Sequence, residues 1–233
     1  MSYQLEERVK RGTVKQIAAW REMLSGGAGR IGWKLGLGDP VVMDKLGIPA
    51  PLVGFLTTRT TFPSGTTVSL EGAVKPGIEP EVALNIGADL PEGSDREAIR
   101  GAITSLSVGL EYVDVTFGAE NVEAVAAGNV FHKGVIFGSL SQGTDPAEIL
   151  EDAHVRIEAN GKTVRTAENA PGLEQMVDLV SHVNGTLSTC GEHLKEGDRI
   201  IAGTLTPIYP PSPGEQVRVS IHGLGQIEIN FDD

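Results

Sequence analysis

The sequence predicts one α+β unit, mostly strand, in which an N-terminal helical cap over residues 1–30 precedes a β-rich body over residues 31–233. Three observations predict it. There are 30 glycines and 13 prolines, and the glycines, nearly twice the usual share, follow no fixed period, so they mark tight turns between short strands. Two stretches, one near the N-terminus and one after Pro171, carry apolar residues at helical spacing. No shift of composition marks a linker, and 233 residues that are 40% hydrophobic and 21% charged can bury a sizeable core.

Taken in order, residues 3–24 read as helix, with Leu5, Val9, Val14, Ile17, Ala18 and Leu24 apolar and charges between them; Gly12-Thr13 is expected to break it in two. The run from Ser25 to Gly29 ends it. Residues 30–37 read as a strand, and glycines at 36 and 38 mark a place where something approaches the backbone closely. Strands follow at 66–70 and 79–86. Ser94 and Glu97 form an S-x-x-E capping box for a helix running to about residue 106, before strands at 107–115 and 133–139. Asp145-Pro146 supplies the cap and first position of a short helix. Asn160-Gly161 is a strong hairpin signal between strands at 154–158 and 163–166. Pro171 opens an amphipathic helix with Leu173, Met176, Val177, Val180, Val183 and Leu187 on one face, stopped by Gly191. Strands at 199–202, 216–221 and 226–231 complete the chain.

Charge and cysteine usage exclude several classes. Nineteen Lys and Arg against 31 Asp and Glu give a net charge of -12 and no basic stripe, so nucleic acid is not an expected partner. Cys190 stands alone, which leaves no disulfide framework and no thiolate metal site. The opening MSYQLEERVKRG has no apolar signal region, and no apolar run is long enough to span a membrane. A soluble, cytoplasmic protein is therefore expected, and the Asn184-Gly185-Thr186 sequon is a chance match. The acidic balance poses a question: an anionic ligand would have to be drawn in by something other than the overall field.

The segment Gly77-Ile78-Glu79-Pro80-Glu81-Val82 is the most informative. In a strand, Glu79 and Glu81 share a face about 7 Å apart, where two buried carboxylates repel unless a cation joins them. All-oxygen ligation favours Mg²⁺, Mn²⁺ or Ca²⁺ over Zn²⁺; the alternative is a solvated edge strand. Glu111, inside the apolar run Val108-Gly109-Leu110-Glu111-Tyr112-Val113, needs a partner too, either that cation or a Lys or Arg. Lys34 is a lone lysine in the glycine-flanked strand Ile31-Gly32-Trp33-Lys34-Leu35-Gly36-Leu37. Buried, it would have a lowered pKa and could carry protons; the alternative is a lysine that reaches out to solvent. His132 and Lys133 follow Asn129 in a turn that could offer a second polar wall, although structural turn chemistry is the favoured account of these residues. There is no phosphate loop, no G-x-S-x-G elbow and no histidine pair at metal-ligand spacing.

These residues, in order, resemble the fumarylacetoacetate hydrolase superfamily in its 2-keto-4-pentenoate hydratase/decarboxylase branch. The resemblance is carried by Gly32-Trp33-Lys34-Leu35-Gly36-Leu37, Leu46-Gly47-Ile48, Pro51 with Gly54 and Leu56, Ile78-Glu79-Pro80-Glu81-Val82-Ala83, Leu110-Glu111-Tyr112-Val113-Asp114, the Asn129 turn, Gly197-Asp198 with Ala202-Gly203, and Gly223-Leu224-Gly225. It implies a mixed β-roll or sandwich whose body over residues 31–233 is catalytic. It also implies Mg²⁺ or Mn²⁺ held by Glu79, Glu81 and Glu111, Lys34 as the catalytic residue over the site, and substrate contacts from Gly36, Leu37, Leu52, Asn129 and Phe131. The activity implied is that of a metal-dependent lyase acting on a small anionic 2-oxo or 2-hydroxydienoic acid of aromatic catabolism. Its leading reaction is addition of water at C4 through a metal-bound enolate, in a homo-oligomer. Decarboxylation, tautomerisation, C–C bond hydrolysis of acylpyruvate-like acids, and a catalytically silent partner subunit are the alternatives. Hydrolases of the superfamily resemble one another in a histidine–glutamate pair soon after the lysine, whereas the first histidine here is His132.

The departures bear on substrate choice. Where hydratases read Pro-Asp-Phe-Gly, this chain has Pro51-Leu52-Val53-Gly54, and an Asp-Asn-Ala-Ser turn becomes Gly128-Asn129-Val130-Phe131. An arginine after the third glutamate is Thr116, and the chain starts late for this branch, so part of a lid is expected to be missing. The carboxylates are kept while polar substrate-facing groups become apolar, which changes the substrate oxygens that can be paired.

Overall fold

The computed structural model describes residues 3–168 and 170–233. Helix α1 (Glu7–Ser25), strand β1 (Arg30–Gly36), helix α2 (Pro40–Leu46) and strands β2 (Leu52–Thr57), β3 (Thr61–Phe62) and β4 (Thr66–Ser69) lead into strand β5 (Pro76–Ile86). Helix α3 (Arg96–Ala102), strand β6 (Ile103–Asp114), helix α4 (Val122–Ala127), strand β7 (His132–Phe137) and helix α5 (Pro146–Glu151) follow. Strands β8 (His154–Ala159) and β9 (Lys162–Glu168), helix α6 (Leu173–Ser188), and strands β10 (Arg199–Ile201), β11 (Gln216–Ile221) and β12 (Gly225–Asp232) complete the order. No helix among the described residues is long and apolar enough to cross a membrane.

The strands form two mixed sheets, one ordered β2-β1-β10-β5-β6-β7-β3 and the other β4-β12-β11-β8-β9, which is the α+β roll expected from the sequence. Alternation divides the larger sheet by face. Ile78, Val82, Leu84 and Ile86 of β5 and Leu106, Val108, Leu110 and Tyr112 of β6 enter the main core. There they join Val217, Val219, Ile227 and Ile229 of the second sheet and Met176, Val177, Val180 and Val183 of α6. The residues between them on β5 and β6, among them Glu79, Glu81 and Glu111, face the other side.

Several expectations are corrected. Gly12 does not break α1: a Cβ there would lie 2.6 Å from both Ala126 Cβ and Glu123 O, so the glycine is the point where α1 meets α4. Gln16 reinforces that contact, donating from Nε2 to Ala126 O (2.6 Å) and Val53 O (3.0 Å). Helix α1 begins after Glu6, whose carboxylate accepts from Arg8 N and Val9 N. The cap of α3 is Asp95, which accepts from Ala98 N, whereas Ser94 Oγ donates to Pro91 O. That helix stops at Ala102, and the apolar run after it extends β6 instead. Helix α6 starts at Leu173, capped by Gly172.

Candidate metal centre

The register of the β5–β6 hairpin builds the centre. Glu79 lies directly opposite Glu111, and Glu81 lies opposite Gly109, where a Cβ would lie 3.0 Å from Ile201 Cγ2. Carboxylate oxygens of Glu79, Glu81 and Glu111 all fall within 4.8 Å of one another. Glu81 and Glu111 are buried and Glu79 is partly exposed. Pro80 between the two ligands fits because its carbonyl, and with it the missing N–H, faces the irregular segment after β10, where Leu205 N donates to Pro80 O.

Hydrogen bonding leaves two oxygens over. Glu81 Oε2 accepts from Gly203 N, while Glu81 Oε1 has no partner among the described residues. Glu111 Oε1 receives both Lys34 Nζ (2.8 Å) and His132 Nδ1 (2.7 Å), while Glu111 Oε2 has none. Buried polar atoms are ordinarily satisfied, and an orphaned carboxylate oxygen is costly. Two of them beside a third carboxylate fit a hard divalent cation with oxygen ligands.

Lys34 is 1% exposed, which rules out a lysine reaching to solvent. Its ammonium donates to Val130 O (3.1 Å) as well as pairing with Glu111, so one N–H is left without an acceptor among the described residues. Glycines make its channel: a Cβ at Gly54, its cross-strand partner, would lie 2.8 Å from Lys34 Cγ, and one at Gly36 would lie 3.3 Å from Nζ.

Burial and charge set the protonation states. Burial, then the Glu111 charge, push Glu79 up to about 7 against the pull of Lys34. The same causes, with the Glu79 charge added, raise Glu81 well above the usual carboxylate range. Burial would raise Glu111 too, but the Lys34 charge and the His132 hydrogen bond hold it low. The expected lowering of the Lys34 pKa is overturned: burial alone would lower it, but Glu111, Glu79 and Glu81 together outweigh burial and raise it.

The turn before β7 is strained. Asn129, Val130 and Phe131 have φ of 60°, 52° and 63°, a run of three left-handed residues that includes a β-branched side chain. Such residues cost about 1–3 kcal/mol each and persist where the surroundings fix them. Here the Asn129 side chain accepts from Phe55 N (2.7 Å) and donates to Phe55 O (3.0 Å), clasping the turn to β2. The turn thereby aims Val130 O at Lys34.

Of the other residues expected near substrate, Gly36 borders the lysine amine and Leu37 is left-handed at φ 56°. Leu52 and Phe131 are buried with Val113 and Val130 in a second apolar cluster, and Phe117 packs edge-on to Phe131 at 5.2 Å. Asn129 spends both ends of its amide on Phe55. Asp114 caps the backbone of Val74 and Lys75, and Thr116 and Lys133 are exposed. His132 is brought against Glu111, a placement that turn chemistry did not foretell.

A mixed roll with three convergent carboxylates and a buried lysine defines a protein with a candidate oxygen-ligand cation centre in its larger sheet. The chain belongs to the fumarylacetoacetate hydrolase family, whose C-terminal model matches residues 37–231. It is 28% identical to a 2-hydroxyhexa-2,4-dienoate hydratase of Comamonas testosteroni over 87% of this chain and 78% of that one. It is 27% identical to a 4-oxalocrotonate decarboxylase of Pseudomonas putida over 86% of this chain and 77% of that one. The solved structure of a 4-oxalocrotonate decarboxylase from Pseudomonas putida G7, complexed with magnesium and adipate, superposes with a TM-score of 0.82 at 26% identity, covering 93% of this chain and 83% of that one.

Proposed function

We propose that the protein is a divalent-cation-dependent hydro-lyase that adds water to a small 2-oxo or 2-hydroxydienoic acid. The observation that carries this reading is the pair of orphaned oxygens, Glu81 Oε1 and Glu111 Oε2, in a cluster of three carboxylates beside a buried lysine. Glu79, Glu81 and Glu111 would hold Mg²⁺ or Mn²⁺, which supplies positive charge for the 1-carboxylate and 2-oxo oxygens of the substrate.

The chain's own groups do the rest. Ketonisation of a 2-hydroxy-2,4-dienoate puts a proton on C5; water then adds across C3 and C4, its hydroxyl at C4 and a proton at C3. Lys34, held as an ammonium by Glu111 with one N–H unspent, carries a proton to the substrate and takes it back. Leu52, Val130 and Phe131 exclude water from the lysine's side of the site. Gly36 and Leu37 border the substrate, and Asn129 serves it indirectly by holding the turn. The hydratase relative supports water addition. The decarboxylase relative, nearly as similar, supports a second reading, loss of carbon dioxide from a longer diacid.

Product analysis separates these readings. Incubation with Mg²⁺ and a 2-hydroxydienoate, its diacid or an acylpyruvate is expected to give the 4-hydroxy-2-oxo acid from the first. Carbon dioxide from the diacid alone would replace hydration by decarboxylation, and a pair of carboxylic-acid fragments from the acylpyruvate would mark a hydrolase.

A further inference from the structure

Glu111 is oriented from two directions. Lys34 reaches its Oε1 from β1, and His132 reaches the same oxygen from the first position of β7. One donor would let the carboxylate rotate and exchange its oxygens; two donors from separate elements fix it, leaving Oε2 without a hydrogen-bond partner among the described residues. The His132 ring is itself held at its far side, where Nε2 lies 3.0 Å from Thr60 Oγ1. An ionised carboxylate can only accept, so the 2.7 Å contact to Glu111 requires the proton on Nδ1.

We propose that His132 is a positioning residue of the cation centre: its Nδ1–H locks Glu111 so that Oε2 alone is offered to the cation. This rests on the cation reading above. The left-handed turn now has a double purpose, because it delivers Val130 O to Lys34 and the His132 ring to Glu111, and so places both groups around one carboxylate. Groups that orient a metal ligand in this way typically change affinity about 10–100-fold when removed.

Calorimetric titration of Mn²⁺ into wild type, His132→Ala and His132→Asn tests the proposal. His132→Ala is expected to bind about 10–100-fold more weakly, and His132→Asn, whose amide N–H can stand where Nδ1–H stood, to recover most of the loss. An affinity for His132→Ala within about twofold of wild type would remove His132 from the centre. Should His132→Ala fail to fold, two measurements remain. Thr60→Val, which frees the far side of the ring and gives up a long 3.4 Å contact to Thr57 O, is expected to weaken binding several-fold, and no change would count against the proposal. Imidazole ¹⁵N shifts of the wild type report the tautomer directly: a protonated Nδ1 agrees, and a bare Nδ1 overturns it. A wild type that takes up no Mn²⁺ would instead sink the cation reading itself.

Discussion

Three acidic side chains and one lysine make opposing demands in a space a few ångströms across. Replacing Glu81 by Gln removes one anionic ligand without changing its shape, so Mn²⁺ affinity is expected to fall at least about tenfold by titration calorimetry. Lys34→Ala is expected to keep the cation and lose turnover by about 10²–10⁴, read as kcat with metal saturated. The Glu79 carboxyl titrates at about 7 against an ordinary 4.5, so between those values the folded chain holds a proton that the unfolded chain has lost. Its stabilising contribution is complete below 4.5 and disappears as pH rises through 7, and a bound cation must displace the same proton. With the Glu81 carboxyl raised as well, Mn²⁺ affinity is therefore expected to rise at least about tenfold from about pH 6 to pH 8, and equal affinities would contradict the assignment. At this scale, Glu79 and Glu81 were legible from a two-residue spacing in a strand. His132 was not, because its partner Glu111 is 21 residues away and only the register of β6 on β7 joins them.

Elements were legible where they carried a period or a cap. The Asp145-Pro146 signature named α5 correctly, and the same Asp-Pro pair, Asp39-Pro40, in fact caps α2, with Gly47 closing it in the left-handed conformation. Helix α4 has six residues, too few to display a helical repeat, and β2 is buried at every position, so it shows no alternation. The break expected at Gly12 misjudged a packing glycine as a flexible one. Close approach of α4 is the reason for it, and Gly12→Leu is expected to destabilise the protein by about 1–3 kcal/mol in urea unfolding. A neutral outcome would mean that α1 and α4 can separate without cost. A second bond ties α1 to the site sheet: Arg30 lies 5.4 Å from the rings of both Trp20 and Trp33 and pairs with Asp198.

On the scale of the whole molecule, a net charge of -12 would repel the anionic substrate proposed, while the proposed cation centre and Lys34 would attract it locally. Screening weakens long-range repulsion more than contact attraction, so KM for a 2-oxo acid is expected to fall as ionic strength rises from about 0.01 to 0.15 M. A rising KM would mean that the local attraction itself is exposed to solvent. A strand-rich α+β unit was legible in the turn-rich composition and the roll in the family resemblance; the strand order was not, because it depends on partners far apart in the chain. Strand β10 lies between β1 and β5, so Lys34 and the three glutamates belong to separate pieces of sheet until residues 199–201 fill the gap. A ribosome working from the N-terminus has therefore made Lys34 and the three glutamates long before it makes the strand that joins β1 to the β5–β6 pair, or the Gly203 amide that orients Glu81. Nascent chains can bring the three carboxylates together on β5 and β6, but Lys34 comes to stand beside them only once translation has passed β10.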